Sequence, residues 1–194
     1  MQITIREPGS AITHFIAMMM AVFATVPLLV KAGIQSGWEN FLAMAIFMGS
    51  MILLYGASAT YHSVDLTGRS LRVFRKLDHM MIFVLIAGSY TPICLLVLER
   101  RTGLIMLALV WGIAITGIII KGFWVFCPKW VSSVLYISMG WICVLAFSQI
   151  LNNLTRAEFG WLLAGGIIYT IGGVIYALKL PIFNSKHKNF GSHE

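Results

Sequence analysis

Apolar residues gather in six long runs, near 11–31, 40–62, 79–98, 103–121, 131–150 and 159–178, and the charges collect in the short segments between them. Each run is about 20 residues long and lacks the alternation of a strand, so the pattern predicts helices long enough to cross a bilayer. Hydrocarbon offers no water to an exposed peptide group, and a spanning chain must satisfy its own backbone, as a helix does. The reading is an all-α integral membrane protein: one domain, 1–194, folded as a bundle of six transmembrane helices. Short connections make consecutive helices antiparallel neighbours. Pro27 is expected to bend the first helix near its far end. Gly165, Gly166, Gly172 and Gly173 form a small-residue stripe on the sixth, of the kind that lets helices approach closely in lipid. The first run is too long for a signal peptide and no cleavage site follows it cleanly.

Composition agrees. Hydrophobic residues make up 59% and charged residues 11%, whereas about a quarter of a soluble domain is charged. The three cysteines, Cys94, Cys127 and Cys143, are scattered without a C-x-x-C spacing and read as packing residues. Ten of the 14 Lys and Arg residues fall on the side of the N-terminus, the second and fourth connections and the C-terminal segment. That excess predicts a cell-membrane protein with its N-terminus in the cytoplasm. The net charge of +7 is then a topology signal, with some attraction to anionic head groups. Nucleic acid is not needed to explain it.

Topology gathers the candidate chemistry. His62 closes the second run, Asp78 and His79 open the third, His14 lies near the start of the first, and His193 follows the sixth. All fall at one membrane depth, and His187 lies in the adjacent basic segment. Ser58 and His62 stand at i and i+4 and share a helix face. They could supply a metal ligand with a hydroxyl for a nearby water; more simply, Ser58 bonds a backbone carbonyl and His62 marks the interface. Asp78 is either the N-cap of the third helix or a carboxylate orienting a ligand or water. It is favoured over His79, which points about 100° away on the helix. His14 is read first as a satisfied interfacial histidine, although an ionisable residue in such a run is also a functional candidate. Glu7 caps or salt-bridges the start of helix one.

Six segments together resemble the hemolysin III family, the bacterial branch of the progestin and adiponectin receptor superfamily. They are E-P-G-S-A-I-T-H (7–14), G-A-S-A-T-Y-H (56–62), R-K-L-D-H (75–79), G-S-Y-T-P (88–92), G-G-V-I-Y-A-L-K (172–179) and F-G-S-H-E (190–194). The resemblance covers essentially the whole chain. It implies a seven-helix membrane protein with a cytoplasm-facing zinc site. The implied metal ligands are His62 and His193, with Ser58 and Asp78 around the water at the zinc. The second histidine of the family's closing H-x-x-x-H would fall beyond Glu194, so the chain is expected to stop short of the seventh helix. Asp78, His79 or His14 would then have to complete the ligand set. Where the family usually has E-x-x-N, this chain has Glu7 and Ser10.

Two functional classes follow. One is a zinc-dependent, ceramidase-like membrane hydrolase with a lipid amide or ester as substrate. The other is a non-enzymatic cytolytic or pore-forming factor, or a regulator of membrane homeostasis, with structural zinc. A receptor is a weaker reading, because the outward connections at 32–39, 99–102 and 151–158 are short.

Overall fold

The structure is a computed structural model that describes residues 5–65, 68–124 and 129–178. Six helical segments in it are long and apolar enough to cross a membrane. Helix α1 (Pro8–Ser36) starts with proline in its first turn, where a missing N–H costs nothing. Pro27 lies inside α1, and the helix continues through it. One residue, Gly37 at φ 84, joins α1 to α2 (Trp38–Ser63). That left-handed backbone suits glycine and allows an abrupt reversal.

Helix α3 (Gly68–Pro92) corrects the expected boundary at 79. It starts at Gly68, whose φ is 63, ten residues before Asp78, which is therefore interior to the helix and not its N-cap. The physical reason is plain in the segment itself. Arg, Lys and Leu are good helix formers, and no proline or glycine interrupts 69–78. Positive charge takes this stretch out of the hydrocarbon without taking it out of the helix. At the far end Pro92 leads into a π-helical turn, Ile93–Val97, which extends the span.

Helix α4 (Arg100–Phe123) follows, then α5 (Lys129–Trp141), a 3-10 segment (Ile142–Ala146) and α6 (Phe147–Asn153), which together form the fifth span, and finally α7 (Arg156–Leu178). Packing is close along α1–α2, α2–α3 and α3–α4, but α4 and α5 touch lightly and α5 packs mainly on α7. Consecutive helices are thus not uniformly neighbours. The glycine stripe is also corrected: a Cβ at Gly173 would meet Ile137 at 2.8 Å, but among the described residues nothing lies within 4 Å of one at Gly165, Gly166 or Gly172.

The core lies among α3, α4 and α5, around Phe83, Val110, Ala114 and Met139. Lipid is as apolar as these side chains, so cohesion depends on close packing and on polar contacts between helices. Tyrosines supply several. Tyr90 donates to the Gly140 carbonyl at 2.6 Å and accepts from the Cys143 amide at 2.9 Å, where α5 gives way to the 3-10 segment. Tyr136 donates to the His79 carbonyl at 3.0 Å, and Tyr169 to the Tyr136 carbonyl at 2.6 Å. Cys94 is buried in the core and Cys143 is partly buried, both as free thiols; Cys127 lies outside the described residues.

Candidate functional site

Polar side chains from three helices meet at the end of the bundle where α1 begins. Glu7 stands just before α1, and His14 lies two turns further along the same face. Ser58 and His62 come from the last turns of α2, and Asp78 from α3.

Glu7 is joined to His62 twice. Its backbone amide donates to the His62 carbonyl at 3.0 Å, and its Oε2 is hydrogen-bonded to His62 Nδ1. An ionised carboxylate can only accept, so Nδ1 carries the hydrogen, and in a neutral ring Nε2 keeps its lone pair. The His62 bond holds the Glu7 carboxyl below its ordinary range, with the charges of His62, Arg6 and Arg75 assisting against the cost of burial. Arg6 lies 3.7 Å from Glu7 Oε1 and its guanidinium stands over the Tyr61 ring, 5.0 Å from the centroid. Arg75 Nε donates to the Tyr61 hydroxyl at 3.1 Å. Glu7 is therefore more than a helix cap: its side chain makes no capping bond to α1.

Ser58 is buried, and its Oγ is 2.7 Å from His14 Nδ1. It bonds this imidazole, where the simpler expectation was a backbone carbonyl. The His14 and His62 rings lie 5.4 Å apart at 76°. Asp78 is close enough for its charge to act on both His14 and His79. His79 faces elsewhere. Its Nδ1 donates to the Arg75 carbonyl at 2.7 Å, and Asp78 Oδ2, at 4.0 Å, is beyond hydrogen-bond range.

The fit to zinc can be judged from these donors. Two imidazoles on one tetrahedral zinc, each about 2.0–2.1 Å from the metal, have ring centres about 5 Å apart. The His14–His62 separation is compatible with that. A metal-bound histidine also commonly gives its other N–H to a carboxylate, as His62 does to Glu7. His62 thus fits one ligand position. Among the described residues no group of three His, Cys, Asp or Glu is placed to hold a metal, and His193 lies outside the described residues.

The sequence had placed Ser58, His62 and Asp78 at this end; Glu7 and His14 are the residues it undervalued. Their seven-residue spacing, which puts both on one face of α1, was the available signal.

The chain matches the family described as "Haemolysin-III related" over residues 2–194. It is 36% identical over 178 residues to "Hemolysin-3" of Bacillus cereus, covering 92% of this chain and 81% of that protein. It is 36% identical over 178 residues to the "Hemolysin-3 homolog" of Bacillus subtilis, covering 91% and 83%. It is also 26% identical over 202 residues to the "Adiponectin receptor protein" of Drosophila melanogaster, covering 90% of this chain and 42% of that one. No solved structure matches.

Proposed function

The chain belongs to the haemolysin-III-related family of multi-pass membrane proteins, and we propose that it is a membrane hydrolase whose polar end binds zinc and cleaves a lipid amide or ester. The observation that carries this reading is the Glu7–His62 pair: a carboxylate fixes one imidazole nitrogen and leaves the other for a metal. His62 and His193 would hold the ion, with His14 as the neighbouring imidazole that could supplement them. Zinc, when bound, is a Lewis acid that makes water nucleophilic near neutral pH. Asp78 takes the proton of the attacking water. Ser58, oriented by His14, hydrogen-bonds that water and restricts its approach. The lipid substrate enters from the bilayer, and the excess of Lys and Arg at this end supports a cytoplasmic location.

Elemental analysis of the purified protein beside its His62→Ala variant tests the metal. About one zinc per chain, lost in the variant, is the expected result. Turnover of a lipid-amide and lipid-ester panel, lost in Asp78→Asn with zinc retained, tests the chemistry; metal-loaded protein inert to the whole panel would refute it.

A second reading, lysis or pore formation, is favoured by the name Hemolysin-3 of the Bacillus cereus relative. Conductance across planar bilayers and dye release from liposomes would support it.

A further inference from the structure

An apolar groove and a basic hollow lie end to end along α3 and α4. The groove, of about 320 Å³, is lined by Phe83 of α3, by Leu109, Gly112, Thr116 and Gly117 of α4, and by Leu135 of α5. It falls within the sizes, about 300–1,000 Å³, that hold small apolar ligands. Leu109, Gly112 and Thr116 are exposed, so the groove opens sideways where the span meets lipid. It exists because α4 and α5 touch only lightly and because Gly112 places no side chain in it.

The hollow is lined by Arg75, Lys76, His79 and Lys121. Its volume of about 10 Å³ admits a single water-sized group. Lys121 is buried and donates to Ser132 Oγ, while Lys76 donates to the Gly122 carbonyl at 2.6 Å, at the end of α4. Helix geometry relates the two features. Phe83 and His79 are four residues apart on α3, Gly117 and Lys121 four apart on α4, and Leu135 and Ser132 three apart on α5. Residues so spaced share a face, about 4.5–6 Å apart along the axis. Groove and hollow therefore form one amphiphilic slot, apolar in the membrane and cationic at its edge.

We propose that this slot binds one anionic phospholipid of the surrounding bilayer. An acyl chain lies in the groove over Gly112, and the phosphate rests at the mouth of the hollow, with one oxygen directed at Lys76 and Lys121. Charge complementarity selects the head, and the membrane setting selects the tail. Basic side chains at a membrane edge attract anionic lipid, and ammonium groups bind phosphate as compact point charges. This site shares no residue with the proposed hydrolytic pair of Asp78 and Ser58 or with His62. It stands or falls independently of that reading.

The test is native mass spectrometry of the purified protein, titrated with phosphatidylglycerol or with phosphatidylcholine of the same acyl chains. The first phosphatidylglycerol should bind about fivefold or more tighter than phosphatidylcholine. Gly112→Leu should abolish that first tight step for either lipid by filling the groove. A Cβ at Gly112 meets nothing within 4 Å and leucine favours helix, so this variant should fold. Lys76→Gln should bring phosphatidylglycerol down to the phosphatidylcholine level and leave the latter unchanged. Equal affinity of the wild-type chain for both lipids, or unchanged phosphatidylglycerol binding in Gly112→Leu, would overturn the proposal.

Discussion

Glu7 and His62 bond through both backbone and side chain, although 55 residues separate them. The pair ties the entry of α1 to the exit of α2 and fixes which nitrogen of His62 carries the hydrogen. Replacing Glu7 by Ala leaves a partly buried imidazole without its acceptor. A loss of about 1–3 kcal/mol is expected, the usual cost of a stranded hydrogen-bonding group, read from unfolding of the variant in lipid nanodiscs.

Acid should act on the same pair. The Glu7 carboxyl titrates below its ordinary value of 4.5, chiefly because of the His62 bond. A depressed carboxylate contributes stability that is fully present above the unfolded pKa and is lost as pH falls through the lower, folded value. Wild-type stability should therefore decline below about pH 4.5 more steeply than that of Glu7→Gln. Parallel stability curves for the two proteins would contradict this account.

Ser58 and His14 should behave as a coupled pair. Each single alanine variant loses the same 2.7 Å bond, so the double variant should be less damaged than the sum. A coupling energy of about 0.5–3 kcal/mol is expected from a double-mutant cycle. Strict additivity would mean that the contact contributes nothing.

Two glycines of α4, five residues apart, should respond in opposite directions. A Cβ at Gly117 would stand 2.4 Å from the buried Phe83 ring, so the ring would have to shift from its packed position. Gly117→Ala should cost about 1–3 kcal/mol by overpacking. Gly112→Ala meets open space and should be neutral or stabilising by up to about 1 kcal/mol, through helix propensity. Thermal unfolding of both variants in one lipid composition makes the comparison.

Tyr90→Phe removes the hydroxyl that serves both Gly140 and Cys143. Interhelical hydrogen bonds in membranes average about 0.6 kcal/mol and reach about 1.7. A loss near the upper figure is expected here, because two backbone groups lose their partner at a break in regular helix. Amide hydrogen exchange should quicken around Cys143 and stay unchanged in α1.

What the chain determined by itself was set by transfer from water to lipid. Six apolar runs, with charge confined between them, dictate spanning helices whatever their neighbours, because each helix satisfies its own backbone. The i, i+4 spacing of Ser58 and His62 is equally local, and so is their place at the end of α2. Even the early start of α3 was written in the segment, in Gly68 and an unbroken run of helix formers; the charges disguised it. Contacts between helices are another matter. That Glu7 reaches His62, that His14 meets Ser58, and that Asp78 and His79 serve different surroundings depend on rotations and tilts within the bundle. Lipid gives no hydrophobic preference for one helix pairing over another, so side-chain fit decides those rotations. Gly117 against Phe83 and Gly173 against Ile137 are closely packed where Gly112 and Gly165 are not. The composition of a single helix does not distinguish these glycines; the helix that lies opposite does.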